Sequence, residues 1–448
     1  MTMNDTIVAN ASASGIGSIS IVRLSGSKSL EIAKKVTAHN ELKPRYAHLS
    51  PLYDAQGELI DEAVVIYFKS PHSFTGEDIV EFQCHGGYII SSEIIDLCVH
   101  YGARLAEPGE YSKRAFLNGK IDLSQAEAIA KIIEAKNLDA AKILAKQLKG
   151  SLLDFVEQSR EQLLLILANS EVMIDYAEED LPVDIQETIA QKLDILEDKL
   201  RAILESSHRR KGLIEGFRVA IVGKPNVGKS SLLNRFLDYE RAIVSDIEGT
   251  TRDTIEESVR IGSHLIRLID TAGIRESNDA IEQIGVQRSL ASIEEADIII
   301  ALFDGSREFD QLDEDIMAKL TDLDPSKHLI KVINKSDLNQ KIAHPFLEDG
   351  ALKISIKENF TNLTEALQSL LDSIAKDDEI MLVTSRQILA LSDALSHIGE
   401  SRLFLAKSEL EFFSYHLNEA LKKISLISKP YDNEDILDKM FGEFCLGK

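Results

Sequence analysis

One eight-residue stretch limits the possible folds of this 448-residue chain more than any other. Residues 223–230 read GKPNVGKS and fit the phosphate-binding pattern G-x-x-x-x-G-K-[ST]. An apolar run, FRVAIV at 217–222, precedes this stretch, and the helix-forming run SLLNRFL at 231–237 follows it. In that strand–loop–helix order the glycines let backbone N–H groups turn inward towards phosphates. We therefore expect Lys229 to pair with the β- and γ-phosphates of a nucleotide and Ser230 to ligate Mg²⁺.

Two further motifs predict that the nucleotide is GTP. DTAG at 270–273 fits D-x-x-G, and NKSD at 334–337 fits N-K-x-D; each follows an apolar, strand-like run. The Asp337 carboxylate can accept hydrogen bonds from both the ring N–H and the exocyclic amine of guanine. Adenine lacks that amine and would leave a buried carboxylate oxygen unpaired, which is costly. Ser355, in the run ISIK, resembles a second base-contacting loop, with Ile356 where alanine is usual.

The segment between the phosphate loop and the D-x-x-G motif contains GTTRD, in which Thr251 is the candidate switch threonine. Many small GTPases carry a glutamine after the D-x-x-G glycine, where it orients the attacking water. Here the residue is Ile274, which cannot bond water, so another group must position the nucleophile. The loop that follows offers four charged side chains: Arg275, Glu276, Asp279 and Glu282. A carboxylate among them could act through water, although for any one of these residues an ordinary surface charge is the favoured interpretation.

Charge and cysteine content limit the partners and the compartment. With 50 basic and 74 acidic side chains the net charge is −24, which repels nucleic-acid phosphate unless basic residues cluster. The small cluster at 209–211 (RRK) is expected to be a solvated helix end, so a basic partner should hold much of any bound RNA. The cysteines, Cys84, Cys98 and Cys445, are odd in number and widely spaced, which indicates a reducing compartment. No charged-then-apolar leader and no apolar run near the length of a membrane span are present, so we expect a soluble protein, cytoplasmic or organellar after processing.

The spacing of apolar residues divides the chain into segments. Strand-like runs at Ile19–Leu24, Ala63–Phe68 and Ile79–Cys84 predict an α+β domain over residues 1–118. Helical spacing begins near Ser124, which with Glu127 reads as a capping box.

The remaining segments predict a multidomain protein. Helical patterns fill residues 119–212 and resume in 376–448, while 213–375 alternate strands and helices. The simplest architecture is one discontinuous α-helical domain with an α/β P-loop, Ras-like G domain inserted in it. Such insertion is tolerated where the termini of the inserted domain lie close together.

Motifs along the whole chain resemble the family of tRNA modification GTPases called MnmE or TrmE. They are GKPNVGKSSLLN, DIEGTTRD, DTAGIR followed by IEQIG, GEDIVEFQCHGG, FLNGKIDLSQAEAI and the terminal FCLGK. The resemblance implies an N-terminal domain that binds tetrahydrofolate and forms a homodimer. It also implies joint action with the FAD-dependent partner MnmG (GidA), in a heterotetramer, to form a 5-carboxymethylaminomethyl-type group on the wobble uridine of certain tRNAs, which are held largely by the partner.

The resemblance implies that GTP hydrolysis depends on K⁺ and on G domains of two subunits meeting across the nucleotide. Asn226, together with Ser245, Ile247 and Thr250, matches the potassium ligands, and Glu282 matches the carboxylate that positions water. A cation there would neutralise charge that develops between the β- and γ-phosphates.

The expected contacts to GTP and Mg²⁺ draw on all of these motifs. The nucleotide-binding residues are Asn226, Val227, Gly228, Lys229, Ser230, Ser231, Ser245, Asp246, Ile247, Glu248, Gly249, Thr250, Thr251, Asp270, Thr271, Ala272, Gly273, Asn334, Lys335, Ser336, Asp337, Ser355, Ile356 and Lys357. Glu282, Lys229 and Thr251 are the catalytic candidates, and Ser230 and Thr251 the expected Mg²⁺ ligands.

The resemblance also implies a site for a 5-formyl- or 5,10-methylene-tetrahydrofolate. Its candidate residues are Arg23, Glu81, Lys120 and Lys448. Basic groups suit the glutamate tail or a ring carbonyl of the folate, and a carboxylate suits the N–H face of the pterin. Cys445 would lie near the folate, where a role in the modification chemistry and a structural role are equally open.

Two other classes of function compete with this one. A regulatory GTP switch or ribosome-assembly factor could share the G domain, but the terminal FCLGK and the folate-type N-terminal segment favour tRNA modification. A plain ATPase is disfavoured by NKSD.

Overall fold

The computed structural model describes most of the chain. The described residues are 5–13, 15–175, 185–239, 257–269, 292–324, 326–376, 380–429, 434–442, 444 and 447. They form two compact units: a first unit of residues 1–130, 147–157 and 425–448, and a second unit of residues 131–146 and 158–424.

The named helices and strands of the described residues are numbered in chain order. The strands are β1 (Ile7–Asn10), β2 (Ile19–Ser25), β3 (Ala47–Tyr53), β4 (Leu59–Phe68), β5 (Ile79–His85), β6 (Arg104–Leu105), β7 (Phe217–Val222), β8 (Glu257–Ile261), β9 (His264–Leu268), β10 (Ile298–Asp304), β11 (His328–Asn334) and β12 (Leu352–Lys353). The helices are α1 (Ser29–Thr37), α2 (Tyr88–His100), α3 (Glu110–Leu117), α4 (Leu123–Glu134), α5 (Leu138–Leu148), α6 (Ser151–Asp175), α7 (Ile185–Glu215), α8 (Lys229–Tyr239), α9 (Gln311–Thr321), α10 (Pro345–Glu348), α11 (Thr361–Ala375), α12 (Ser385–Ala406), α13 (Leu410–Ser425) and α14 (Glu434–Gly442).

The sheet of the first unit has the strand order β3-β4-β5-β2-β1-β6. Neighbouring strands are antiparallel, apart from the parallel pair β1 and β6. Side chains alternate between its faces. Val22 and Leu24 belong to a buried core with residues of α1 and α2, while Ile7 and Ala9 pack with Tyr111 of α3. The N-terminal unit is therefore α+β, as the sequence predicts.

Helix α4 begins one residue before the predicted cap. Asp122 Oδ1 accepts hydrogen bonds from Ser124 N (2.7 Å) and Gln125 N (3.2 Å), and Gln125 Oε1 accepts from Asp122 N (2.9 Å). This reciprocal arrangement is a capping box in which Asp122 and Gln125 take the roles assigned to Ser124 and Glu127. The cap lies two residues before the predicted one, so the predicted helix start was close but its capping residues were wrong.

The sheet of the second unit has the order β12-β11-β10-β7-β9-β8 and is parallel except for the antiparallel pair β8–β9. A parallel sheet is covered on both faces, so its strands read as nearly continuous apolar runs. Every residue of β10 is buried accordingly. Alternate β7 and β10 residues pack on one side with α8 and α11, and on the other with α9.

In the second unit, helices that precede the sheet in sequence pack against residues and helices that follow it. Ser170 Oγ of α6 lies 3.0 Å from Ser414 Oγ of α13, and Leu382 N donates to Ser207 Oγ of α7 (2.9 Å). Helix α11, at the end of the α/β segment, also packs against α7, which leads into β7. The predicted class, an α+β domain, a discontinuous helical domain and an inserted P-loop domain, is confirmed; the boundaries after residues 118, 212 and 375 stay predictions.

The basic cluster at 209–211 differs in part from its prediction. It lies inside α7, and Arg210 is only 3% exposed, so the expectation of a solvated helix end is wrong for that residue. Among the helices that the structure describes, none is both long enough and apolar enough to span a membrane.

Candidate nucleotide-binding site

The phosphate loop connects the buried strand β7 to the first turn of α8. Gly228 has φ +112°, and a Cβ there would lie 2.5 Å from Asn334 Nδ2, so only glycine fits this position. Asn226 also has a left-handed backbone, with φ 63°, which asparagine tolerates better than most residues. The loop therefore curls tightly, and the N-terminus of α8, with its favourable dipole, follows directly.

Lys229 lies against the carbonyl groups of its own loop. Its Nζ donates to Gly223 O (2.7 Å) and Lys224 O (3.0 Å), and the side chain is half-buried. Ser230, the next residue of α8, is exposed. The ammonium and the hydroxyl therefore both belong to the loop–helix junction where a phosphate would bind.

Asn334 ties the phosphate loop to the predicted base loops. It ends β11 and is 4% exposed, and its Nδ2 donates to Val227 O at 2.8 Å. Its Oδ1 accepts from Ile356 N at 3.2 Å. One buried amide thus connects three motifs that are distant in sequence.

Lys335 adds a second connection. Its backbone is left-handed (φ 64°), and its Nζ donates to Asn226 O (3.2 Å) and pairs with Asp304 Oδ2 (2.6 Å). Burial alone would raise the pKa of Asp304, but hydrogen bonds from Lys335 and Ser306 outweigh it and hold this pKa below its usual value. Asp304 was not identified from the sequence; its only signal is its position at the end of the apolar run of β10.

The remaining base-loop candidates lie close to these two residues. Ser336 N donates to Ile354 O (3.0 Å), which joins the N-K-x-D loop to the ISIK loop. Ser355 is buried, and its backbone N donates to Asn359 O at 3.3 Å. Asp337 and Lys357 are exposed and accessible to a ligand.

Lys224, the second residue of the phosphate loop, anchors the loop to the N-terminus of α9. It is 6% exposed, and its Nζ pairs with Asp310 (2.6 Å) and Asp313 (2.5 Å), which form the capping box of α9. Burial would lower the pKa of Lys224, but these two carboxylates raise it overall. This anchor was also missed, although the D-x-x-D spacing of a capping box is visible in the sequence.

Several predicted site residues lie outside the described residues, so their roles stay predictions. They are Ser245, Asp246, Ile247, Glu248, Gly249, Thr250, Thr251, Asp270, Thr271, Ala272, Gly273, Glu282, Cys445 and Lys448.

The structure brings together two of the four folate candidates. Arg23 of β2 and Glu81 of β5 are directly opposite in register, and Arg23 Nε donates to Glu81 Oε1 at 2.9 Å. The guanidinium of Arg23 also lies 5.7 Å from the centre of the Tyr111 ring. Lys120 is exposed, and its stem lies beside Gly76. Cys84 is buried in β5, and burial raises the pKa of its thiol to about 11.

The sheet order, the phosphate loop after β7 and the Asn-Lys-x-Asp loop after β11 define a P-loop GTPase with Ras-like topology. This class rests on the strand order together with the hydrogen bonds that Asn334 makes to the two loops.

Comparison with known proteins identifies the family. A family model described as "GTP-binding protein TrmE N-terminus" matches residues 6–120, and one described as "MnmE helical domain" matches residues 123–445. A tRNA modification GTPase MnmE from Sulfurovum sp. is 62% identical over 447 residues, covering 100% of this chain and 99% of the relative. One from Aliarcobacter butzleri is 57% identical over 448 residues, covering 100% of both chains. The chain belongs to the tRNA modification GTPase MnmE family, and it is a GTPase.

A solved structure also matches in part. Era in complex with MgGDPNP and a segment of 16S ribosomal RNA is 29% identical and covers 40% of this chain and 66% of that chain. The TM-score of this match is 0.27.

Proposed function

We propose that this GTPase acts in tRNA modification and that, with the FAD-dependent protein MnmG (GidA), it forms a 5-carboxymethylaminomethyl-type group on wobble uridine. The proposal is carried by sequence identities of 62% and 57%, over the whole chain, to relatives named tRNA modification GTPase. The N-terminal and helical segments match family models as well, so the likeness extends beyond the G domain.

The phosphate loop supports the proposed hydrolysis chemistry. Lys229 lies at the loop–helix junction, where its ammonium can move from the loop carbonyls to the β- and γ-phosphates. Ser230 is an exposed residue, and its hydroxyl suits Mg²⁺, which prefers oxygen ligands. We propose Thr251 as the second protein ligand of Mg²⁺ and Glu282 as the residue that orients the attacking water.

Potassium dependence is proposed from Asn226. Its side chain is exposed at the left-handed turn of the phosphate loop, where an ion can reach its oxygen. Ser245, Ile247 and Thr250 would supply further oxygens. A cation at this point stabilises charge between the β- and γ-phosphates in the manner of an arginine finger.

The folate proposal rests on Arg23 and Glu81. Their side chains are 19% and 15% exposed, so both groups can exchange their mutual ion pair for a charged ligand. We further propose that Lys120 and Lys448 complete this site, that Cys445 lies beside it, and that the N-terminal domain forms a homodimer. The protein is proposed to work in the cytoplasm, with tRNA held largely by the partner because the chain carries a net charge of −24.

Two measurements test this function. GTP hydrolysis by the purified full chain should be at least about tenfold faster in KCl than in NaCl at equal ionic strength, because only an ion of the right size fits the site. Mass spectrometry of tRNA from cells lacking the protein should show wobble uridines without the group. Unchanged tRNA would contradict the modification role and support a regulatory switch or ribosome-assembly factor.

A further inference from the structure

The hairpin of α12 and α13 carries a side-chain cluster that the nucleotide chemistry does not use. His397 and Glu400 are three residues apart on α12, so they share one face of that helix. His416 of α13 faces them. Among the described residues, one donor atom from each of these side chains lies within 4.8 Å of the others.

The donor separations suit a bound metal ion. His397 Nδ1 lies 3.3 Å from His416 Nδ1, and Glu400 Oε2 lies 3.0 Å from His416 Nδ1 and 3.7 Å from His397 Nδ1. A tetrahedral Zn²⁺ ion with bonds of about 2.0–2.1 Å keeps neighbouring donors about 3.4 Å apart. The three distances lie on both sides of that value, so small adjustments place an ion between the donors.

The His416 ring is held in this orientation by its neighbours. It stacks on Phe404, with 5.1 Å between ring centres and 14° between planes, and Phe404 in turn stacks on Phe412. The turn between the helices closes through Glu409 N donating to Phe404 O at 2.9 Å. A metal-binding side chain that packing already holds in place loses little conformational entropy when an ion binds.

The facing ring nitrogens need a positive charge or a proton between them. Two lone pairs 3.3 Å apart repel each other, so either one Nδ1 carries a proton or a cation accepts both. A hydrogen-bonded His–His–Glu chain is the metal-free alternative, and it predicts no affinity for a metal ion.

We propose that His397, Glu400 and His416 bind one divalent transition-metal ion, with Zn²⁺ as the expected ion and water as the fourth ligand. Two imidazole nitrogens and a carboxylate form a donor set that Zn²⁺ accepts, whereas Mg²⁺ prefers oxygens alone. The 50% exposure of Glu400 leaves solvent access for the water ligand. The ion would cross-link α12 and α13 and would be distinct from the Mg²⁺ and K⁺ of the nucleotide site.

The test is a Zn²⁺ titration of the untagged, metal-free full chain against a chromogenic zinc indicator. We expect one Zn²⁺ per chain at this site, and Co²⁺ in its place should give the intense visible absorption of a four-coordinate ion. His416→Gln and Glu400→Gln should each weaken Zn²⁺ binding by about tenfold or more. His208→Gln, which removes an exposed histidine of α7, is the matched control and should bind as the unchanged protein does.

Wild-type protein that does not bind Zn²⁺, or variants that bind it as tightly as wild type, would overturn the proposal in favour of the metal-free cluster. Circular dichroism and GDP binding report whether each variant is folded. Because Glu400 is half exposed, Glu400→Gln decides the matter even if the more buried His416→Gln does not fold.

Discussion

The two sheets position their candidate binding residues in different ways. In the second unit these residues lie on loops at the carboxyl ends of parallel strands, where long-range side-chain bonds hold them. In the first unit, Arg23 and Glu81 lie within antiparallel strands and are set opposite each other by register. A loop lacks a backbone ladder, so its geometry depends on a few buried side chains. Single substitutions should therefore disturb the nucleotide loops much more than the N-terminal pair.

The largest expected effect is at the anchor of the phosphate loop. Lys224→Ala leaves the Asp313 carboxylate, which is 1% exposed, without its cation. Removing one partner of a buried ion pair should lower the free energy of unfolding by about 3–5 kcal/mol. Urea denaturation of the full chain measures it, with Lys353→Ala, at an exposed position of β12, as the control. Equal stability of the two variants would mean that the anchor does not hold the loop.

The next effect is at Asn334. Asn334→Ala removes the bonds to Val227 O and Ile356 N and leaves buried backbone groups unpaired, at a cost of about 1–3 kcal/mol. Because these bonds join the phosphate and base loops, GDP affinity should fall by about tenfold or more. Fluorescent-GDP titration measures the affinity, and the exposed Asn339→Ala should leave it unchanged. Unaltered binding by Asn334→Ala would show that the loops are positioned without it.

A pH-dependent effect is expected at Asp304. Its pKa is lower in the folded protein than its usual value, chiefly because Lys335 and Ser306 outweigh the effect of burial. Such a carboxylate stabilises the fold above its unfolded pKa, and this contribution is lost as the pH falls through the folded value. Asp304→Asn should therefore flatten the loss of stability below about pH 4. Urea-denaturation midpoints measured across this pH range test the prediction, with the exposed Asp349→Asn as the control. If the midpoint of Asp304→Asn fell with pH in parallel with that of the unchanged protein, the lowered pKa of Asp304 would be contradicted.

The smallest effect on stability is expected in the N-terminal sheet. Arg23→Ala removes a partly exposed ion pair and should cost about 1 kcal/mol or less. The same change should abolish measurable binding of a reduced folate, while Lys34→Ala, on the helix that covers the other face, should not. If Arg23→Ala instead lost much stability and kept folate binding, the pair would be structural, which would contradict the contrast drawn between the two sheets.

Local motifs correctly predicted the strands that lead into the candidate nucleotide-binding loops. The run predicted as a strand at 217–222 is β7, and NKSD begins at the last residue of β11. These features depend on residues that are neighbours in sequence, where spacing and side-chain type carry the information.

The features that sequence analysis missed depend on the strand order instead. Lys224 and Asp313 are 89 positions apart, and Asp304 and Lys335 are 31 apart, so nothing local marks them as partners. The cap of α4 and the burial of Arg210 were mispredicted for a related reason. Several residues fit each local pattern, and tertiary packing decides among them.

The most direct test of the account is a titration of the purified full chain with GDP and with ADP under the same conditions. Asp337 lies at the end of the loop that Asn334 and Lys335 hold against the phosphate loop, so GDP should bind at least about 100-fold more tightly than ADP. Equal affinity for the two nucleotides would contradict the assigned base site and, with it, the proposed GTP-dependent chemistry.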